Sequence, residues 1–424
     1  MLTISKENAS YLNIAGAIED KIPVSEHFAR HVPGYFFDPL YKTGRWDGKI
    51  RFFDLGTGRL PYGLYKELFS FCSKNKIPLK ISDELKKELL PVSVNDLDIC
   101  FGDIDTKNIQ QREYQLNGVA QALKWKRGLL KHPTGAGKTA TLFLLINYLL
   151  KKDFQKILFI VPTKGLLAQT EAAFISYGFD KSLIGKYFGE EKDDTKTITI
   201  ATWQSASKNN KLLELVDCVL VDECHQGKAK EISELMKKCV NAEYRIGVTG
   251  TLPKKEDADM FTILGHFGPL LDSIKTNILI HKEKVLSDLH IKVLNLEYPK
   301  DIKKSVKEYK DEKKIIKDYL PRKILVKSLI NHYCKGTNTL ILFDEIELGQ
   351  NYLEYCKPFF PEKTHYWISG KVGVKEREEI RLGVNKSKET IIWGSLGTMS
   401  TGIDIPSLSQ VIFLFVGKRP IRVR

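Results

Sequence analysis

The stretch Leu129-Leu-Lys-His-Pro-Thr-Gly-Ala-Gly-Lys-Thr139 runs without a break into the apolar helical pattern Ala140 to Leu150. An apolar strand, a glycine-containing turn and a helix in that order leave free backbone N–H groups and the positive end of a helix dipole converging on the turn. Such a turn is an anion cradle. Gly135 and Gly137 allow backbone angles and a close approach that a Cβ would block. Lys138 is placed to reach the β- and γ-phosphates of a nucleotide, and the Thr139 hydroxyl to ligate Mg2+. The full pattern G-x-x-x-x-G-K-[ST] has a glycine where this chain has His132. An ordinary helix start after a glycine turn has the same local appearance.

A second stretch decides between the two. Leu220-Val-Asp-Glu-Cys-His225 sets two acids at the end of a buried apolar strand, where carboxylates are costly unless they hold a cation or activate water. Asp222 is the candidate Mg2+ holder, mostly through its water shell, and Glu223 the candidate base for an attacking water. A phosphate loop followed by this acid pair, with other strands between, reads as ATP hydrolysis. A zinc site at Cys224 and His225 is disfavoured, because no second ligand pair lies nearby.

Working outward, apolar runs alternate with helical patterns. Ile157-Leu-Phe-Ile-Val161, Thr197-Ile-Thr-Ile-Ala201, Cys218-Val-Leu-Val221 and Tyr244-Arg-Ile-Gly-Val248 each look like strands buried on both faces, the pattern of a parallel sheet flanked by helices. The rhythm restarts at Thr339-Leu-Ile-Leu-Phe343, Thr390-Ile-Ile-Trp393 and Val411-Ile-Phe-Leu-Phe415. Ahead of both lies a mixed block with strand-like Ile50-Arg-Phe-Phe-Asp54 and a helical stretch from Tyr65 to Lys74. The 424 residues suit two to three domains, and 42% hydrophobic content excludes a disordered tail protein. Seven scattered cysteines without a C-x-x-C pair read as reduced core thiols, with no structural metal. The N-terminus has no basic region leading into an apolar stretch. No apolar run approaches the ~20 residues of a membrane span, so a soluble protein without a membrane partner is expected.

The formal net charge of +14 favours a polyanionic partner. Residues 1–110 hold 15 Lys/Arg and 15 Asp/Glu, so the basic excess lies beyond them. The run from Lys300 to Lys323, ten Lys/Arg against five acids, reads as a solvated helix face.

From about residue 108 on, the chain resembles superfamily 2 helicases. Arg112-Glu-Tyr-Gln115 looks like their adenine-reading segment, with the Gln115 amide on the base and Arg112 beside it. Val161-Pro-Thr-Lys-Gly-Leu-Leu-Ala-Gln169 and Thr202-Trp-Gln204 are similar to two DNA-backbone motifs, which would put Thr163, Lys164, Gln169, Thr202 and Gln204 on phosphates. The competing reading makes Thr163 and Thr202 strand-end caps. Thr249-Gly250-Thr251 stands where the family often has Ser-Ala-Thr, linking hydrolysis to strand movement. Asp222-Glu-Cys-His225 is of the DExH type, which implies that His225 bridges two lobes. Ser400-Thr-Gly-Ile-Asp-Ile-Pro406 matches a motif that implies nucleic-acid contact by Ser400 and Thr401 and nucleotide contact by Gly402 and Asp404.

The first block is similar to the N-terminal domain of phage UvsW-type recombination helicases through Gly44-Arg-Trp-Asp-Gly-Lys-Ile-Arg51 and its surroundings. There Lys42, Arg45, Lys49 and Arg51 alternate with Tyr41, Trp46 and Phe52, a composition that can hold phosphates and stack on bases. For the individual aromatics Phe36, Trp46 and Phe52, packing into a small hairpin core is the favoured reading.

The expected fold class is therefore α/β, with two tandem RecA-like parallel-sheet domains preceded by a small α+β N-terminal domain. The boundaries are set at 1–105, 106–285 and 286–424. The resemblance implies a monomeric ATP- and Mg2+-dependent DNA translocase that remodels branched or forked DNA in recombination and repair, acting for a phage in the cytoplasm of its bacterial host. The family's Q-x-x-G-R-x-x-R motif, whose arginines act on the γ-phosphate, is not found up to Arg424, so feeble hydrolysis is expected of this polypeptide. An ATP-gated DNA clamp or annealing factor, and an RNA helicase, are the alternatives.

Overall fold

A computed structural model of the chain describes residues 1–92, 109–226, 229–254, 257–294, 296–305, 307–399 and 405–414. Contacts divide it into two compact units, Met1–Leu289 and a second from His290 on.

The first unit begins with strands β1 (Leu2–Lys6), β2 (Tyr11–Ala15), β3 (Ala29–His31), β4 (Lys49–Arg51), β5 (Arg59–Pro61) and β6 (Leu79–Ile81). Four of them form a sheet in the order β5-β2-β1-β6, while β3 and β4 pair separately as an antiparallel ribbon. Alternating Leu2, Ile4, Leu12 and Ile14 face one core with Phe28, Leu60 and Leu68. The helix Tyr65–Lys74 covers that core with Leu68 and Cys72.

An eight-stranded sheet follows, built from β7 (Arg127–Lys131), β8 (Ile157–Val161), β9 (Ile184–Phe188), β10 (Glu191–Lys192), β11 (Ile198–Thr202), β12 (Cys218–Asp222), β13 (Tyr244–Thr249) and β14 (Leu270–Ser273). Its order is β10-β9-β11-β8-β12-β13-β7-β14. Apart from the antiparallel β9–β10 pair, its strands run parallel. Strands β8, β11, β12 and β13 are buried along their whole length, because helices cover both faces and separate apolar cores lie on either side.

The small sheet and the large one share a unit for a chemical reason. Arg245, on β13 and fully buried, donates to the Ser10 hydroxyl at 2.9 Å, to the Met236 carbonyl at 3.2 Å and to the carbonyls of Ala242 and Cys239. Burial, with Arg127 repelling it, draws the Arg245 guanidinium down to about 9. Arg127 in turn donates to the Ala9 carbonyl at 2.7 Å and lies 3.7 Å from the centre of the Tyr62 ring. Phe261, on the helix Ala258–Phe267, joins the N-terminal core beside Phe28 and Phe52.

In the second unit, β15 (Asn338–Phe343), β16 (Thr364–Ile368), β17 (Thr390–Ser395) and β18 (Leu408–Phe413) form a parallel sheet in the order β16-β17-β15-β18. Strand β18 differs from the expected doubly buried strand. It lies at the sheet edge with every second side chain exposed, Val411 and Phe413 among them. The Lys300–Lys323 run spans parts of three helices, Lys300–Ser305, Tyr309–Asp318 and Leu320–Tyr333. Within it Lys317 pairs with Glu345 and Glu347 instead of with acids on its own helix.

Candidate active site

Parallel strands deliver their following loops to one edge of a sheet, and that edge is where α/β folds hold ligands. Here β13, β12 and β11 end at Thr249, Asp222 and Thr202, while β7 and β8 lead into His132 and Thr163; His132, Thr249 and Asp222 form one group and Thr163 and Thr202 the other. The first group surrounds the phosphate loop. The second lies farther along the same edge.

The phosphate loop closes on Gly137, whose φ of 74° is left-handed and unfavourable for any side chain, and the helix Lys138–Lys151 starts directly after it. Lys138 is buried, and its Nζ lies 2.9 Å from Glu223 Oε1. Glu223 itself has φ 48°, a left-handed conformation that costs roughly 1 kcal/mol or more in a residue with a side chain. It stands where strand β12 gives way to a turn, and this bend aims its carboxylate at the loop. Its second oxygen, Oε2, is 3.3 Å from His225 Nδ1, and the same nitrogen lies 2.5 Å from Thr249 Oγ1. Thr249 Oγ1 donates to the Thr251 carbonyl at 2.7 Å. A continuous polar chain thus runs from the loop lysine through the acid and the histidine to Thr249-Gly250-Thr251. His225 is engaged inside the first unit by these contacts. Burial holds its imidazole below the ordinary value, with Lys138 acting the same way and Glu223 opposing.

Asp222 is 6% exposed, and its carboxylate accepts from the Glu223 N–H at 2.9 Å. Burial, then the Glu223 charge, pushes its carboxyl up to about 6 against the pull of Lys138. A buried acid raised in this way is short of positive charge. With the half-buried Thr139 hydroxyl on the adjacent helix turn, it is an oxygen donor set suited to Mg2+. Among the described residues no cluster of three or more metal-ligating side chains occurs.

Gln115 is buried, and its amide is committed to the loop. Nε2 donates to the Ala136 carbonyl at 3.1 Å and to that of Gly137 at 3.4 Å, while Oε1 accepts from the Arg112 N–H at 3.2 Å. Both amide hydrogens are thereby used on backbone. Tyr114 adds its hydroxyl to the Ala136 carbonyl at 2.8 Å. His132, the residue in the place of a glycine, turns its ring away from the cradle and under Gly118, where Nε2 meets Asp272 Oδ2 at 2.9 Å. Asp272 also accepts from Asn117. Leu286, from the segment after the helix Thr276–His281, packs on Gly135, where a Cβ would come within 2.5 Å of its side chain. His132 was conspicuous in the sequence as a departure. Asp272 and Leu286 were not, because they lie about 150 residues from their partners and carry no local pattern, and Tyr114 was visible only as part of the Arg112–Gln115 segment.

On the second part of the edge, the Thr163 hydroxyl caps the helix Lys164–Tyr177 by accepting from Leu166 N–H at 3.3 Å, and the Thr202 hydroxyl donates to that of Ser205. Lys164 and Gln204 are exposed, and Gln169 is half-buried. In the N-terminal part, Arg51 pairs with Asp47 at 2.7 Å and Glu26 at 3.3 Å, and Lys49 approaches Glu26 at 3.9 Å. Lys42 and Arg45 are exposed and form no ion pair among the described residues. Ser400, Thr401, Gly402 and Asp404 lie outside the described residues.

Residues 72–254 match the family described as type III restriction enzyme, res subunit, and residues 7–82 match DNA helicase UvsW, N-terminal. The chain is 30% identical over 403 residues to the ATP-dependent DNA helicase uvsW of Enterobacteria phage T4, covering 91% of this chain and 79% of that protein. It is 25% identical over 411 residues to putative helicase 22 of a Sulfolobus islandicus filamentous virus, covering 88% and 71%. The crystal structure of T4 UvsW superposes with a TM-score of 0.61 at 26% identity, covering 99% of this chain and 85% of that one.

Proposed function

The chain belongs to the UvsW family of DNA helicases, and on that premise we propose that it is an ATP-dependent DNA helicase that remodels branched or forked DNA. One observation supports the chemistry above all others: the phosphate-loop Lys138, the strained Glu223 and the buried Asp222 converge at one sheet edge. Lys138 and the loop N–H groups would hold the β- and γ-phosphates. Asp222 and Thr139 would hold Mg2+, which when bound neutralises charge on the phosphates. Glu223, released from Lys138, would orient the attacking water and take its proton. His225 and Thr249 would pass the change at Glu223 to Thr251.

Thr163, Lys164, Thr202 and Gln204 would meet the phosphates of a DNA strand along the same edge, which positions the strand without reading its sequence. Lys42 and Arg45 are the N-terminal cations best placed to add contacts, since Lys49 and Arg51 already face acids. Unwinding of a forked DNA, a Holliday junction and an RNA duplex, assayed side by side with ATP and Mg2+, tests the reading. The two branched DNAs are expected to be processed; a preference for the RNA duplex would overturn it.

A further inference from the structure

Between β3 and β4 the chain makes a compact knuckle, residues 32–48, whose aromatic side chains divide into two groups. One group builds it. The Tyr35 ring stacks on His31 at 4.3 Å, meets Tyr41 edge-on at 4.8 Å and lies against Gly48, where a Cβ would overlap it. The Trp46 indole donates to the Lys49 carbonyl at 2.9 Å, Val32 N–H donates to the Gly48 carbonyl, and Asp38 caps the short turn Pro39–Lys42 through Leu40 N–H. The other group is turned outward, with only the Phe36 ring touching Tyr35 edge-on at 5.7 Å. Phe36 is 53% exposed, Phe37 71% and Leu40 51%, with the two phenyl rings 4.3 Å apart. This corrects the expectation that Phe36 packs in a hairpin core; Phe52 does pack, on Phe261.

Two adjacent phenylalanines held out in water by a braced turn represent apolar surface that folding leaves uncovered. The same turn carries the exposed cations Lys42 and Arg45, while the acid next to Phe37, Asp38, is turned to the Leu40 N–H. Flat apolar rings on a turn that also presents exposed cations match a partner that is flat, apolar and strung on phosphates, and that partner is an unpaired nucleic-acid base. A base pair inside a duplex offers no free face to stack on, since its neighbours cover both.

We propose that Phe36 and Phe37 form a stacking tip that receives unpaired bases at a DNA branch, with Lys42 and Arg45 on the adjoining phosphates. This rests on the branched-DNA reading above and assigns its recognition step to two side chains.

The test uses the full chain carrying F36A and F37A together, with two probes: a forked DNA with unpaired arms and a blunt duplex of the same sequence. Fork affinity is expected to fall about tenfold or more, duplex affinity to stay within about twofold, and F36W with F37W to recover the fork. The melting temperature should move little, since both rings lie outside the apolar core. An unchanged fork-to-duplex ratio overturns the proposal. So does loss of a dimer in sedimentation with that ratio intact, which would make the tip a contact between copies. If the unaltered chain shows neither fork preference nor DNA-stimulated ATP hydrolysis, the branched-DNA reading itself fails, a result separate from any effect of the substitutions.

Discussion

Lys138 Nζ and Glu223 Oε1, 2.9 Å apart, neutralise one another across the mouth of the phosphate loop. In the proposed reaction an arriving γ-phosphate would draw the lysine off the carboxylate, and the same event would free the carboxylate for water. Glu223→Gln removes the competing charge and the base together. ATP affinity should rise a few-fold in a fluorescent-nucleotide titration, while single-turnover hydrolysis drops at least about 100-fold. A fall in affinity alongside the rate would show that the pair does not compete with nucleotide.

Asp222 makes the folded protein pH-sensitive in an unusual direction. Its carboxyl stands at about 6 in the fold against an ordinary 3.8, because it is buried beside Glu223. Between those values the native state binds more protons than the unfolded chain, so this group's contribution to stability falls as pH rises through the window. Asp222→Asn removes the penalty. At pH 7 it should stabilise the nucleotide-free protein by on the order of 3 kcal/mol, read by urea unfolding, while hydrolysis is lost. A variant no more stable than the parent would refute this account.

Gln115 has both amide hydrogens on the carbonyls of Ala136 and Gly137. Its removal is expected to loosen the loop and raise KM about threefold to tenfold, for ATP and GTP alike, since each buried hydrogen bond is worth about 1 kcal/mol. If Gln115→Ala instead erased a preference for ATP over GTP, the amide would be reading the base, as the family resemblance implies.

Arg245 has carbonyls and the Ser10 hydroxyl as its partners, and cutting it back leaves them buried and unmet. Arg245→Ala should cost roughly 3–5 kcal/mol and split a single urea transition into two, the N-terminal sheet melting first. One cooperative transition at reduced midpoint would mean the apolar contacts around Phe261 suffice to join the two.

The grouping of Lys138 and Asp222 was legible in the sequence because its parts are local: a glycine turn, a strand end, a helix start. The strands were legible for the same reason, through runs such as Cys218–Asp222 that are apolar on both faces. What could not be read was long-range. Nothing near Ser10 announces Arg245, and nothing near His132 announces Asp272. Phe36 and Phe52 look alike in a sequence, yet one packs on Phe261 and the other faces water; which of them finds a neighbour depends on a helix more than 200 residues away. The thiols of Cys72, Cys218, Cys224, Cys239, Cys334 and Cys356 are free and buried, in line with the reduced core expected from their spacing.

The bolts formed by Arg127 and Arg245 have a mechanical consequence. The small sheet is fastened to β7 and β13, and the separate β3–β4 ribbon is tied to the same unit where Arg30 and Phe52 pack on Phe261, so the proposed Phe36–Phe37 tip would travel with Lys138. On that proposal, any advance of this unit along a strand would be delivered to the tip as well, like the jaw of a caliper fixed to its beam. Such an instrument measures: a branch point would be met at one set number of nucleotides from the hydrolysing site, and lengthening or shortening the gap in the DNA by a single nucleotide would be felt at once.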